Sequence, residues 1–260
     1  HDWFGYGPGR EAARASDATW VSSFHSLASD RNIDPPTREV ETERRLANAA
    51  DTNIAVSEIV REDIRELYGA DARVVYNGFS TPEFSGRDVR SDLGIDGEML
   101  FFVGRHTDQK GIAHLLYAMK KLRGRDVTLV VGGSGHQTEQ LKRFSELIGI
   151  DDQVTFVGYV PEAELGDYYA AADAFVSPSF AEPFGITITE ALEAGTQVVS
   201  TRCGAAEVLP DDCLIEVTPD SESIVDGLIT ALDRESPPTY ERRDWSAVAE
   251  DTLAVYEDVA

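Results

Sequence analysis

The sequence predicts an α/β protein built on a doubly wound parallel sheet. First, from residue 99 onward, short runs rich in β-branched and aromatic residues alternate with amphipathic stretches, as strands and helices do in such a sheet. Second, the same alternation is present before residue 85 but is cut short. Third, 260 residues with 42% hydrophobic and 27% charged residues suffice for one large or two modest folded domains.

Six strands and the helices between them are predicted after residue 98. The predicted strands are MLFFVGR, VTLVVGG, QVTFVG, DAFVSPS, TQVVST and CLIEV. The predicted helices are IAHLLYAMKKL, HQTEQLKRFSELIG, PEAELGDYYAAA, GITITEALEAG and SESIVDGLITALD, with a short AAEVL turn. Together they make a complete Rossmann-like sheet, in which ligands bind at the carboxyl ends of the strands.

Three further strands are predicted before residue 85, in TWVSSFHS, NIAVS and RVVYNGF. The helices around them are PGREAARASDA, REVETERRLANAAD and EIVREDIRELYG. Three strands are few for an independent sheet, so residues 1–84 are predicted to be a partial N-terminal Rossmann-like domain whose front is missing. NGFSTPEFSGRD predicts a linker to a second such domain over 85–235, and PPTYERR precedes a final helix in 236–260 that returns toward the N-terminal domain.

The composition excludes several classes of protein. No apolar run approaches the roughly 20 residues that span a bilayer, and the opening HDWFGYG does not resemble a secretory signal, so the chain is interpreted as a fragment or processed product. The sequence lacks the clustered Lys and Arg that neutralise nucleic-acid phosphates, and its net charge is −24. That charge favours a high-salt cytoplasm, where salt screens self-repulsion; the alternative is an acidic interaction face. Cys203 and Cys213 are expected to be buried, reduced thiols.

The segment VGRHTDQKG, residues 103 to 111, places two cations around a predicted strand-to-helix turn. Gly104 and Arg105 end the strand, and Lys110 and Gly111 precede the helix. At the carboxyl edge of a parallel sheet, this arrangement suits a polyanion such as a diphosphate. The alternative is that both are ordinary surface charges.

Two further segments are predicted to lie at the same edge. VGGSGHQ is a Gly-rich strand end that permits close approach of a ligand to the backbone, although it equally suits a simple tight turn. GYVPEAEL places Tyr159 at a strand end, where the ring could stack on a nucleobase or pack on the core.

The segment AEPFGITITEALEAG contains two glutamates, Glu182 and Glu190, on either side of a predicted helix start. The helix is expected to begin near Phe184 and Gly185, where free amides and the positive end of the helix dipole favour an anion. Glu190 then lies about one and a half turns into the helix, where it could accept hydrogen bonds from a ribose diol. Glu182, in the loop, could reach a sugar further along; alternatively, one glutamate serves the helix dipole and the other is solvated.

These segments, taken together and in order, resemble the retaining glycosyltransferases of the GT-B fold, the large family-four group and the related glycogen and starch synthases. The resemblance covers almost the whole chain: HDW, FHSL, AVSE, YNGF, VGRHTDQKG, GYVP, EPFGITITEALEAG, CGAAEVLPDD and a closing helix introduced by Trp245. The spacing of Glu182 and Glu190, with seven residues between them, is the signature of that family.

The resemblance implies a role for each residue around the donor, a nucleotide-diphosphate sugar. Arg105 and Lys110 would clamp the diphosphate and neutralise the leaving group. Backbone amides near Phe184, Gly185 and Ile186 would hold phosphate.

The sugar end of the donor is assigned by the same resemblance. Glu190 would bind the ribose, Glu182 the hydroxyls of the donor sugar, and His25 would reach that sugar across the cleft between the domains. The alternative for His25 is a satisfied core histidine at a strand end. His1 is expected to be structural.

The implied reaction retains anomeric configuration by front-face attack, without a metal or other cofactor. FHSL and EPFG lean toward the glycogen-synthase side and a glucosyl donor, whereas CGAAEVLPDD lacks the Thr-Gly-Gly turn of the synthases and resembles the broader family, so the hexosyl donor is left open. The acceptor, a glycan, lipid or small molecule, is left open as well. The front strands and Gly-rich loop of the family are absent here, and acceptor binding or peripheral membrane contact would lie in that region. Two alternatives therefore stay open, a nucleotide-sugar-binding module without transferase activity and a nucleotide-sugar epimerase.

Overall fold

The structure is a computed structural model that describes residues 1–236 and 238–259. Pro237, the first residue of the predicted break PPTYERR, lies outside the described residues. In the described part, no helix is both long enough and apolar enough to cross a membrane.

The N-terminal unit contains a three-stranded parallel sheet in the order β1-β2-β3. Its strands are β1 (Val21–Phe24), β2 (Thr52–Ala55) and β3 (Arg73–Val74). Its helices are α1 (Tyr6–Ser16), α2 (Ala28–Arg31), α3 (Thr37–Ala49) and α4 (Glu58–Tyr68), after a 3-10 turn at Trp3–Gly5. The three predicted strands are all present, but β3 is much shorter than predicted, because the amide of Phe79 bonds to the carbonyl of Arg243 and the chain has left the sheet.

The second unit contains a six-stranded parallel sheet in the order β6-β5-β4-β7-β8-β9. Its strands are β4 (Glu98–Val103), β5 (Val127–Gly132), β6 (Val154–Gly158), β7 (Ala174–Ser177), β8 (Gln197–Ser200) and β9 (Ile215–Glu216). Its helices are α5 (Val89–Leu93), α6 (Ile112–Lys121), α7 (Thr138–Ile148), α8 (Glu162–Ala171), α9 (Ile186–Glu193) and α10 (Ser221–Leu232), with 3-10 turns at Asp108–Lys110, Asp151–Gln153 and Gly204–Val208. The predicted doubly wound α/β fold is confirmed.

The strand order places a crevice beside β4. The chain runs outward from β4 through β5 to β6, then returns to the other side of β4 with β7. The loops after β4 and β7 therefore leave the sheet in opposite directions, which opens a ligand crevice at their carboxyl ends. These two loops carry VGRHTDQKG and SFAEPFG.

Two large apolar clusters flank the six-stranded sheet. One packs α6, α7 and α10 on one face and includes Leu115, Leu129 and Leu228, which are fully buried. The other lies on the opposite face and continues into the N-terminal unit. Phe79, after β3, approaches Phe184 in the second unit with ring centroids 6.5 Å apart. This continuous cluster joins the two units beside the crevice.

The predicted linker is held against α8. The carboxylate of Asp167 accepts hydrogen bonds from the amides of Ser85 at 2.8 Å and Gly86 at 3.1 Å, and from the Ser85 hydroxyl at 2.5 Å. The amide of Gly166 donates to the carbonyl of Glu83 at 2.9 Å. The segment has no helix or strand, yet its backbone is fixed by these contacts.

The last helix, α11 (Trp245–Val259), packs on the N-terminal unit. Arg73 of β3 pairs with Asp258 at 2.5 Å. The Thr19 hydroxyl donates to the carbonyl of Val259 at 3.1 Å. The chain thus crosses back to the unit in which it began.

Candidate active site

A cleft of about 300 Å³ lies where the carboxyl ends of β4 and β7 face the N-terminal unit. Its lining includes His25 from the first unit and Arg105, Lys110, Glu182 and Gly185 from the second. These residues lie up to 160 positions apart in sequence. The fold therefore brings together most of the side chains predicted to act on a donor.

The turn that carries Lys110 is held against the loop after β7 by backbone contacts. The amide of Phe180 donates to the carbonyl of Gln109 at 2.7 Å. Gly111 follows Lys110 with φ at +63°, and a Cβ placed there would lie 2.1 Å from the carbonyl oxygen of Pro178. Only glycine fits this position, because both the backbone angle and the close approach exclude a side chain. The glycine of the KG pair is thus explained by local packing.

This junction brings Lys110 onto Glu182. The ammonium and carboxylate form an ion pair at 2.7 Å, with the two side chains 26% and 12% exposed. The Ser179 hydroxyl donates to the same carboxylate oxygen at 3.3 Å. Two predicted donor-binding residues are therefore in direct contact with each other.

Arg105 differs from Lys110 in having its charge free. Its side chain is exposed and lines the cleft. Within residues 1–236 and 238–259, no carboxylate lies within 4.0 Å of its guanidinium. A free guanidinium with five donors in a fixed fork is well suited to an anionic ligand.

Helix α9 begins at the cleft, as predicted. Gly185 precedes it with φ at +97°, and the first amide-to-carbonyl bond runs from Ile188 to Gly185 at 3.0 Å. The amides of Ile186 and Thr187 come before that bond and point out of the helix start. Phe184 is buried beneath them, while Ile186 is about half exposed. The helix start therefore offers amide donors and a positive dipole end to the cleft.

Glu190 lies one turn beyond Ile186 on the same helix face. The Tyr169 hydroxyl donates to its carboxylate at 3.0 Å. Burial raises the pKa of Glu190, and the hydrogen bond from Tyr169 partly offsets that rise. This carboxylate keeps further lone pairs for a ligand hydroxyl, so its predicted role in binding ribose is compatible with its surroundings.

His25 lies at the end of β1 and faces the second unit across the cleft. It is exposed, so the alternative of a satisfied core histidine is wrong. Its amide donates to the Asp2 carboxylate at 2.8 Å, and its ring Nε2 lies 2.9 Å from Nδ1 of His1. The HDW segment therefore positions the backbone and ring of His25.

Helix α2, which follows His25, contributes to the cleft and was not predicted. Asp30 and Arg31 both line the cleft. Burial raises the pKa of Asp30 to about 7, against the lowering effect of the Leu27 amide. Arg31 is held by the fully buried Glu43 at 2.6 Å. The acid–base pair DR, separated from FHSL by two residues, was the available indication.

A second cavity of about 630 Å³ adjoins the first. Arg31, Arg105 and Gln109 line both. It extends past Asp34 and His136 along the boundary between the units. The two cavities together provide room for more than one ligand group.

Three predicted residues, Glu190, Tyr159 and Gly104, lie outside the lining of both cavities. Tyr159 directly follows β6 and is 79% exposed, so the alternative that it packs on the core is wrong. Gly104 lies against the Gly-rich turn: a Cβ at Gly133, where φ is +98°, would lie 2.0 Å from the Gly104 carbonyl. A Cβ at Gly135 would lie 2.4 Å from the carbonyl of His106. These glycines allow two protein loops to approach, which supports the simpler interpretation of that turn.

Family comparisons agree with this architecture. The family described as Glycosyl transferases group 1 matches residues 88–251. The family described as Glycosyltransferase Family 4 matches residues 1–83. The two matches meet inside the segment that connects the two sheets.

Two individual proteins are similar to 78% or more of the chain. An uncharacterized glycosyltransferase from Methanocaldococcus jannaschii is 29% identical over 99% of this chain and 74% of its own length. A D-inositol 3-phosphate glycosyltransferase from Catenulispora acidiphila is 34% identical over 78% of this chain, and the match spans only 54% of that relative.

Solved structures show the same fold at low identity. HepE from Anabaena, in complex with UDP and glucose, has a TM-score of 0.82 at 20% identity and covers 98% of this chain and 76% of that chain. Sucrose-phosphate synthase from Thermosynechococcus elongatus has a TM-score of 0.79 at 22% identity and covers 99% of this chain and 72% of that chain. The chain has the GT-B arrangement and belongs to the group 1 family of glycosyltransferases.

Proposed function

We propose that this chain is the donor-binding part of a retaining glycosyltransferase that transfers a hexosyl group from a nucleotide-diphosphate sugar. The observation that carries the proposal is the cleft, where His25 from one unit faces Arg105, Lys110, Glu182 and the start of α9 from the other. Cations and helix amides suit the diphosphate of such a donor, and the hydrogen-bonding side chains beside them suit its sugar.

The cations supply the electrostatics of the reaction. When the glycosidic bond breaks, negative charge develops on the leaving diphosphate. Arg105, Lys110 and the amides at the start of α9 would stabilise that charge, which needs no metal ion. Because these groups lie on one side of the cleft, the leaving phosphate would remain beside the anomeric carbon. It could then assist deprotonation of an acceptor that attacks from the same face, and such an attack retains configuration.

The donor's sugar and nucleoside are assigned to the remaining groups. Glu182 and His25 would bind sugar hydroxyls, and Glu190 the ribose, with Tyr159 near the base. HepE, which shares the fold, was solved in complex with UDP and glucose, and this makes UDP-glucose the first donor to test. The acceptor is proposed to be a hydroxyl of a glycan, lipid or small molecule held against the N-terminal unit, where the second cavity lies.

Isothermal titration tests donor binding directly. The chain is titrated in molar KCl, with and without EDTA, against UDP, ADP, GDP and their glucose conjugates. Binding of one nucleotide that survives EDTA and is weakened by Glu190→Ala would support the proposal. Glu139→Gln is the matched control, since Glu139 is an exposed carboxylate whose ion pair is with Lys142. A folded chain that binds none of the six ligands would contradict the proposal.

Retention is tested separately. Incubation of the bound donor with candidate acceptors, followed by proton NMR of the product, reports the configuration at the anomeric carbon. Retention predicts the configuration of the donor. Inversion would contradict the front-face mechanism without affecting the binding assignment.

A high-salt cytoplasm is proposed from the charge alone. A net charge of −24 on 260 residues destabilises the folded state by self-repulsion, and molar salt screens that repulsion to within about 3 Å. The melting temperature should therefore rise steeply between low and molar KCl. A melting temperature that is independent of KCl would contradict this proposal.

A further inference from the structure

The ion pair between Lys110 and Glu182 lines the cleft that forms the proposed donor site. This inference rests on the proposed function, in which Lys110 binds the diphosphate of the donor and Glu182 binds hydroxyls of its sugar. Without a ligand, each satisfies the other at 2.7 Å, and both are largely shielded from solvent. A diphosphate that approaches Lys110 must therefore compete with a carboxylate that is already bound.

The contact is fixed by the backbone rather than by chance side-chain positions. The Lys110 turn and the Glu182 loop are joined by the hydrogen bond from Phe180 to Gln109 at 2.7 Å. Gly111 lies directly against the carbonyl of Pro178. Because neither loop can withdraw without breaking these contacts, Glu182 stays within reach of Lys110 whether or not a ligand is present.

We propose that Glu182 is a built-in competitor for Lys110, which makes the site prefer the intact nucleotide sugar over the nucleoside diphosphate. When the whole donor binds, the diphosphate takes Lys110, and sugar hydroxyls donate to Glu182 in its place. When the diphosphate binds alone, Glu182 loses Lys110 and gains no partner. After transfer, Glu182 returns to Lys110 and favours release of the diphosphate.

The test compares two ligands on two forms of the chain. For the nucleotide that binds wild type, dissociation constants are measured for the diphosphate and for its glucose conjugate. Glu182→Gln keeps the size of the side chain and removes its charge. We expect this variant to bind the diphosphate about 5- to 10-fold more tightly, and to bind the conjugate more weakly. The preference for the conjugate should therefore fall more than fivefold.

A control variant at a neighbouring carboxylate distinguishes competition for Lys110 from the general effect of removing one negative charge. Asp108 lies two residues before Lys110 and contacts Gln137 and His136 instead. Asp108→Asn should change the affinities for both ligands by the same factor. If Glu182→Gln also shifts both equally, or leaves diphosphate binding unchanged or weaker, the proposal is overturned.

Lys110 provides the second variant. In a Lys110→Gln background, Glu182→Gln should no longer tighten diphosphate binding, because the ammonium for which the diphosphate and Glu182 compete has been removed. Tightening that persists in this background would overturn the proposal. The outcome for the proposed function is distinct: if wild type binds no nucleotide at all, that function fails. If wild type binds normally and only the Glu182→Gln effect is absent, the competition alone fails.

Discussion

Gly111 offers the sharpest test of how the site is assembled. A Cβ at this position would lie 2.1 Å from the carbonyl oxygen of Pro178. Ordinary contact begins near 3.4 Å, so Gly111→Ala forces the Lys110 turn and the loop after β7 apart by about 1 Å. The residue also has φ at +63° and ψ at +16°, a conformation that costs an L-residue about 1–2 kcal/mol.

Gly69 distinguishes the cost of the steric clash from the cost of the left-handed backbone conformation. It ends α4 with φ at +70° and ψ at +19°, close to the angles of Gly111, and nothing lies within 4 Å of its Cβ position. Gly69→Ala therefore carries only the backbone penalty of about 1–2 kcal/mol. Gly111→Ala adds overpacking against backbone, which costs about 1–3 kcal/mol. We expect a total loss of about 2–5 kcal/mol in the free energy of unfolding for Gly111→Ala.

The assay is denaturant unfolding of the two variants and wild type in the same molar KCl. Each 1 kcal/mol should also lower the melting temperature by about 2–4 °C in a chain of this size. Equal losses in the two variants would refute the reasoning. In that case the loops would separate at no cost, and the junction would not hold Lys110 against Glu182.

Three further changes test the rest of the fold. Glu43→Gln should lower the free energy of unfolding by about 1.5–3 kcal/mol, because it weakens the charge-assisted hydrogen bond from Arg31, whose guanidinium keeps Glu39 at 3.3 Å, while the exposed Glu41→Gln should change it by less than about 0.5 kcal/mol. Burial alone would raise the pKa of the Asp167 carboxyl, but its hydrogen bonds outweigh burial and lower the pKa below 3.8. The stability that ionised Asp167 contributes is therefore complete above pH 3.8 and is lost as pH falls through the folded-state pKa. The urea midpoints of Asp167→Asn and wild type should differ at pH 7 and converge in acid. Trp245→Phe removes the hydrogen bond to Ser80 at 2.8 Å and should cost about 0.5–1.5 kcal/mol in urea unfolding; no loss would show that α11 docks without it.

The strands and long helices were predictable because their patterns are local. Alternating apolar runs and amphipathic stretches of ten or more residues fix the type of each element without reference to the rest of the chain. Helices α2 and α5 were missed because they have four and five residues, too few to show helical periodicity. Their stability comes from partners elsewhere, such as Glu43 accepting from the amide of Ala28 at 2.9 Å.

Burial of charge was the least predictable property. In α3, TREVETERRLANA gives no sign that Glu43 is fully buried while its neighbours are solvated. The reason lies 12 and 25 residues away, in Arg31 and in the Tyr68 hydroxyl, which donates to Glu43 at 2.5 Å. Contacts of this kind depend on tertiary packing, which a single-sequence pattern does not encode.

The candidate site was predictable in its members but not in their contacts. Sheet topology alone places the loops after β4 and β7 at one crevice, and this is why Arg105, Lys110 and Glu182 were expected together. Their spacing in sequence says nothing about which carboxylate meets which cation. The pairing of Lys110 with Glu182 across 72 residues depends on Gly111 admitting the Pro178 carbonyl, a close approach that only the folded backbone shows.

That pairing also bears on how a strongly acidic chain recognises an anion. In the high-salt cytoplasm proposed above, charges more than about 3 Å apart would scarcely interact through solvent, so the overall charge of −24 would neither repel nor steer a donor. Recognition then depends on contacts at hydrogen-bond distance. Arg105, exposed and free of carboxylates in the described part of the chain, can meet a phosphate first. Lys110 is shielded and already paired with Glu182. By the proposed competition, it would bind a phosphate well only when the same ligand also donates hydrogen bonds to Glu182. Under the proposed competition, the site would therefore combine one cation that accepts an available anion with one that selects for the sugar attached to it.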